Sequence, residues 1–224
     1  MSTLSNVETG RGQAKPPSVR VTPNTFPEAH SSKTGVSVRY VPDNNKSWYV
    51  FRASYGREYK ASDYIVEDGT FAYIAKRYVC KSVKGKQKKV LETLIPNLLF
   101  VYTTDDKAKE YVKNTPVLSY LTFYYNHFDL DDDQKNPPLI VPCKEMENFI
   151  IATCNKNEHL RFVDEEQCHF KGGEIVRVVD GMFKGVEGRV ARVSGQQRVI
   201  ISITNVGLIS TAYVPTAFLQ IIEE

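Results

Sequence analysis

Apolar and polar positions alternate most clearly near the C-terminus. Ile175, Val178, Val186, Val190 and Val193 flank a glycine-punctuated turn at residues 180–185, left through Gly188, which predicts two strands joined by a tight, bulged connection. Beyond it, apolar stretches at residues 198–203, 209–214 and 218–221 recur at about ten-residue spacing, the signature of a small all-β barrel. The first half follows another rhythm. Residues 48–54 mix aromatic and β-branched side chains as a strand does, and residues 57–68 read as a helix stopped by Gly69. Residues 71–80 and 81–90 read as strand-like segments with a hairpin tip at Lys84-Gly85-Lys86. The most apolar run, residues 94–103, is a buried strand entered through a Pro96-Asn97 turn. Thr104 caps a helix over residues 105–113, residues 117–125 form a further strand, and residues 144–153 form a helix with Met146, Phe149 and Ile150 on one face.

The pattern therefore predicts an α+β domain, an antiparallel sheet with flanking helices, followed by a five-stranded SH3-like barrel. Domain bounds follow from where the rhythm changes: a leader over residues 1–46, a first domain over 47–154, a linker over 155–170 containing a strand-like segment at 160–163, and the barrel over 171–224. The leader is rich in Ser, Thr, Asn, Gly and Pro without sustained periodicity, so it is expected to lack structure.

Charge refines the picture locally. Residues 1–46 hold six Lys/Arg against three Asp/Glu, which is the whole net charge of +3; the other 178 residues hold 23 of each sign. A nucleic-acid contact must then come from a patch rather than from the field of the whole chain. One such block exists: residues 76–89 carry seven basic and no acidic side chains. A basic hairpin either deters edge-to-edge pairing of sheets or lies on a phosphate backbone, and both readings stand. The aspartates at 129, 131, 132 and 133 lack EF-hand spacing and read as a solvated loop. Cys80, Cys143, Cys154 and Cys168 form no C-x-x-C pair. Cys154, His159, Cys168 and His169 match no common zinc spacing, so reduced structural thiols, and no metal or cofactor, are expected. No P-loop, H-E-x-x-H or nucleophile elbow is present, which argues against an enzyme. No apolar run is long enough to cross a bilayer and no signal peptide is apparent, so a bacterial cytoplasmic location is expected.

The order of glycines and apolar residues from Gly173 to Val190 resembles the KOW motif. Trp48-Tyr49-Val50, Gly56 before the first helix, the basic hairpin and the Pro-containing apolar strand resemble the N-terminal domain of NusG-type transcription factors. Ile95-Pro96-Asn97-Leu98 is similar to the Pro-Asn variant of operon-specific, RfaH-like antiterminators. Phrases such as YGRE at Tyr55, LIPNLLFVY at Leu94 and TAYVPTAFL at Thr211 resemble the UpxY group, which regulates capsular-polysaccharide operons.

The resemblance implies a non-enzymatic antiterminator that binds the clamp helices of RNA polymerase and suppresses pausing or termination. Its polymerase-facing positions would be Ile95, Pro96, Leu98 and Phe100, with Tyr49 and Phe51 on the neighbouring strand; plain core packing is the competing role for each. Leu98 and Phe100 share one strand face and are preferred. Contacts to non-template DNA or nascent RNA would come from Arg57, Lys60 and Tyr64 and from Lys84, Lys86, Lys88 and Lys89 of the hairpin. Tyr64 and Glu67 replace basic or imidazole side chains of RfaH, so its DNA preference does not carry over. In the KOW turn, Met182, Phe183 and Lys184 would face a ribosomal protein, a termination factor or RNA, unless Phe183 plugs the barrel. The alternative is an RNA-binding or ribosome-associated KOW protein, against which the near-neutral barrel argues.

Overall fold

The computed structural model describes residues 26–83, 85–128, 130, 134–155 and 157–222. The acidic loop residues 129 and 131–133 lie outside them. A two-residue antiparallel pairing, β1 (Ala29–His30) with β2 (Ser37–Val38), comes first. β3 (Ser47–Ala53) turns through Ser54–Gly56 into α1 (Glu58–Glu67), and β4 (Phe71–Tyr73) follows. β5 (Lys76–Val83) and β6 (Lys86–Thr93) pair with each other as a separate hairpin. Next come β7 (Leu98–Thr103), α2 (Asp105–Lys113), β8 (Leu121–Phe123), β9 (Ile140–Val141) and α3 (Cys143–Thr153). β10 (Arg161–Val163), β11 (His169–Val178), β12 (Glu187–Val193), β13 (Gln196–Ile203), β14 (Gly207–Tyr213) and β15 (Leu219–Ile222) make up the second half.

The first sheet has the order β4-β7-β3-β8, antiparallel, with β9 also paired to β3. Register puts Trp48, Val50, Phe100 and Tyr102 on one face and Tyr49, Phe51, Leu99 and Val101 on the other. Helices cover both. α3 lies on the first face, where Phe149 packs edge-on against Phe100 at 5.2 Å and Tyr73 at 6.1 Å. α2 serves the second, where the Tyr49 hydroxyl donates to Asp105 at 3.3 Å; burial and that carboxylate push the phenol up to about 12. A central strand covered on both faces is apolar at every position rather than at alternate ones, which explains the run LLFVYT of β7. α2 has the expected ends: the Thr104 hydroxyl accepts from the Lys107 amide, with Asp105 and Asp106 in the first turn and Lys113 in the last.

Three sequence expectations need correction. The lack of structure expected over residues 1–46 does not hold for the described part, and residues 1–25 lie outside the described residues. Residues 26–46 form a strap in which Tyr40 packs on Trp48 (5.4 Å), Phe71 (5.8 Å) and Tyr102 (4.8 Å). Ser32 donates through its amide and hydroxyl to Asp63 of α1 at 2.7 and 2.5 Å, and Ser31 donates to Glu67 at 2.7 Å. Its isolated apolar residues show no period, yet Phe26, Ala29, Val38 and Tyr40 pack into the buried core. The strand expected over residues 117–125 begins only at Leu121, because Pro116–Leu118 forms a 3-10 turn. The second sheet has six strands rather than five, in the antiparallel order β10-β14-β13-β12-β11-β15. β10 comes from the segment read as a linker, and among the described residues no pairing joins β10 to β15.

α3 also ties the two sheets together. Glu145 accepts from the amide and hydroxyl of Thr204 at 2.7 and 2.8 Å, and the Asn148 side chain accepts from the Glu187 amide at 3.1 Å. The buried apolar cluster accordingly runs unbroken from Trp48 through Met146, Phe149 and Ile150 to Ile201, Ile203 and Val214. Within the second sheet, Gly188 is required by space: a Cβ there would lie 2.3 Å from the Ile200 carbonyl oxygen. Gly188→Ala is therefore expected to lower stability by about 1–3 kcal/mol, read from the urea midpoint at unchanged m-value.

Candidate functional site

The turn between β6 and β7 organises one surface. Asn97 adopts a left-handed conformation (φ 64°), which asparagine tolerates better than other residues with a side chain. Its carbonyl accepts from the Ala53 amide at 2.8 Å and its side-chain oxygen from the Gly56 amide at 3.0 Å. This fixes Ile95 and Pro96 at the surface, Ile95 half-buried and Pro96 exposed. Leu98 and Phe100 are 8% and 1% exposed, on the face that α3 covers, while Tyr49 and Phe51 are buried on the opposite face. Of the six apolar candidates, Ile95 and Pro96 reach solvent and the other four are core in this arrangement.

Directly beside Asn97 stands a feature that the sequence reading passed over. Tyr55 is 88% exposed and has φ 62° and ψ 33°, a left-handed conformation that carries a steric penalty for a residue with a Cβ. The Arg57 guanidinium lies over two rings, 5.6 Å from the centre of Tyr55 and 5.0 Å from that of Tyr120. Tyr120 is held in place because its carbonyl accepts from the Ser54 amide at 3.1 Å. Burial raises the Tyr120 phenol pKa, against the opposing pull of Arg57. Lys60 is exposed one helical turn from Arg57, whereas Tyr64 is half-buried against the core. In sequence, Tyr55-Gly56 reads as an ordinary turn; the approach of Tyr120 comes only from strand register.

The β5–β6 hairpin carries the basic block. Lys86, Lys88 and Lys89 are exposed, and Lys84 lies outside the described residues. Lys81 and Lys88 stand directly opposite each other, a repulsive pairing that Lys81 offsets through an ion pair with Glu92. Lys89 pairs with Glu158 at 3.1 Å and lies over Tyr78 at 5.1 Å, and Arg77 donates to the Leu160 carbonyl at 3.0 Å. The base of the hairpin is thus docked on the segment that leads to β10.

In the 180–188 turn, Phe183 is 2% exposed and belongs to the core, which removes it from the exposed tip. Met182 is 55% exposed and Lys184 exposed, but the Met182 carbonyl accepts from Asn155 at 2.9 Å, so the turn leans on the end of α3. Beside it a cleft of about 940 Å³ opens between α3 and the second sheet, floored by Phe162, Ile175 and Leu208. Among the described residues no group of three or more His, Cys, Asp or Glu is placed to hold a metal ion, and no helix is long and apolar enough to cross a membrane.

The sheet order, the three helices and the separate basic hairpin all fall within one stretch of sequence. Residues 46–150 match the NusG family, described as transcription termination factor nusG. The match spans just under half of the chain, from the start of β3 into α3, and supports a NusG-type transcription factor. The strap and the second sheet lie outside it. A search of curated proteins found no match.

One ionic cluster at the join between the NusG-like region and the second sheet has a pH signature. Glu187 is the shared partner of Lys144 (2.9 Å) and Arg177 (2.6 Å). Burial would raise its carboxyl pKa, but the hydrogen bonds from Lys144 and Arg177 outweigh burial and hold it below its ordinary 4.5. A lowered folded-state pKa contributes stability that is present above 4.5 and is lost as pH falls through the folded value. The stability difference between wild type and Glu187→Gln, from urea midpoints, is expected to favour wild type at pH 7 and to shrink as pH falls below 4.5. Phe183→Ala is expected to cost about 3–5 kcal/mol in the same assay, whereas Met182→Ala stays within about 0.5 kcal/mol.

Proposed function

We propose that this protein is a NusG-like regulator that binds the clamp helices of RNA polymerase and suppresses pausing or termination. The observation that carries the reading is the family match over residues 46–150. Such a regulator acts by holding a conformation of its partner, so the reading requires no catalytic group. The phrases shared with the UpxY group support an operon-specific role in polysaccharide biosynthesis, and the Gly173 to Val190 pattern supports a KOW-type barrel in the second sheet. On this reading the protein acts in the bacterial cytoplasm.

The polymerase-facing patch would centre on Ile95 and Pro96, the members of the apolar set that reach solvent. Docking a helix needs apolar anchors in a shallow hollow, and Leu98 and Phe100 supply its floor once the cover of α3 shifts. Arg57, Lys60, Lys86 and Lys88 would meet nucleic acid near the bound polymerase. Lys89, already paired with Glu158, contributes if that pair opens. Met182 and Lys184 would offer the second sheet's contact to a ribosomal protein, termination factor or RNA.

The test is a pull-down of core RNA polymerase with wild type and with Ile95→Glu, whose half-buried site spares the fold. Wild type is expected to retain polymerase and Ile95→Glu to lose at least about tenfold in affinity, as removal of an interface anchor does. Equal retention of polymerase by both would contradict this placement of the patch, and no retention by the wild type would contradict the reading itself.

A further inference from the structure

We propose that the cleft between α3 and the second sheet binds a free long-chain monocarboxylate, its apolar body on Phe162, Ile175 and Leu208 and its carboxylate at Arg189. The inference goes beyond the polymerase reading and does not depend on it. At about 940 Å³ the cleft has the size of a small-molecule site, and its lining is of the matching kind, apolar side chains with a few charged groups. Phe162 is a wall held from one side only. A Cβ at Gly207 would lie 2.1 Å from its ring, so the ring rests on bare backbone, yet the residue is 42% exposed. Phe170, Val206 and Leu208 are half-buried along the same cleft. Apolar surface presented in this way gains from an apolar occupant.

The charges around the cleft give the ligand its direction. Glu187 and Arg189 stand two residues apart on one face of β12, and Lys144 and Asn148 of α3 both reach Glu187. Glu187 is already shared by Lys144 and Arg177, one acid against two bases, whereas Arg189 is exposed and has no ion pair among the described residues. This wall is net positive. The side-chain oxygen of Asn148 accepts from the Glu187 amide, so its NH2 group remains as a second donor to a carboxylate. At the other end stand Asp164 and Glu165, which follow β10. β14 and β13 separate β10 from β12, so the two ends lie roughly 14 Å apart along the sheet. An anion is drawn to one end and repelled from the other, which admits one carboxylate and rejects a second. An extended peptide fits poorly, because β12, β13 and β14 each pair on both sides and leave its amides no backbone partners beneath the cleft.

The test is isothermal titration calorimetry of the full chain with octanoate, decanoate and dodecanoate below their micelle-forming concentrations, against dodecyltrimethylammonium and dodecanedioate. Affinity is expected to rise about fourfold with each methylene that the cleft buries. The dodecyl cation and the dicarboxylate should bind at least about tenfold more weakly than dodecanoate, the first for want of an anion and the second for its repulsion by Asp164 and Glu165. Arg189→Gln, at an exposed position that spares the fold, should weaken dodecanoate by about tenfold, as loss of a charged hydrogen bond does. Backbone amide shifts on adding dodecanoate should centre on residues 162, 189 and 208. No binding of dodecanoate, equal affinity for the dodecyl cation, undiminished affinity in Arg189→Gln, or shifts centred elsewhere each overturns the proposal. None of these outcomes bears on the polymerase pull-down, which decides the other reading by itself.

Discussion

Phe149 on Phe100 is the contact on which the rest of the molecule depends. The two rings meet edge-on at 5.2 Å beneath α3, and both are almost completely buried. Because that contact seats α3 on the first sheet, the adjoining flank of the helix is presented to the second, where Glu145 receives Thr204 and Asn148 receives the Glu187 amide. Buried hydrogen bonds to a carboxylate are worth more than neutral ones and are expensive to leave unmade. One helix therefore sets both the cover over the apolar face of β7 and the position of the C-terminal sheet. Any event that uncovers Leu98 and Phe100 must also disturb Glu145 and its partners.

Asn97 plays the corresponding part at the surface. Its left-handed backbone closes the turn that carries Ile95 and Pro96, and its side chain holds the turn that carries Tyr55. The Ile95-Pro96 turn and the Tyr55 turn are thus two products of one residue's conformation, which fixes their spacing. The basic hairpin is organised from elsewhere, through Arg77 on Leu160 and Lys89 on Glu158. These two cations dock the hairpin on the segment before β10.

Local signals made much of this legible in the sequence. Thr104 with Asp105 and Asp106 defines α2 to the residue, and the glycines at 181, 185 and 188 mark the β11–β12 connection. The apolar run of residues 98–103 is the buried central strand. What stayed hidden is what tertiary packing decides. Tyr40 looks like one aromatic residue in a polar leader until Trp48, Phe71 and Tyr102 surround it. Phe183 sits in a glycine-rich turn that could expose or bury it, and only the end of the sheet settles the matter. Alternation places Leu98 and Phe100 on one face, but alternation says nothing about which helix lies over it. Tyr55 and Tyr120 are far apart along the chain and share the Arg57 guanidinium because residues 53 and 121 pair in the sheet.

The most direct test of this account is backbone 15N relaxation on the full chain, comparing residues 47–153 with residues 161–222. If α3 unites the two sheets as described, both groups report the same overall tumbling time, that of a single body of 25.4 kDa. A distinctly shorter time for residues 161–222 would mean that the second sheet swings free. The Glu145 and Asn148 contacts would then not hold the molecule together.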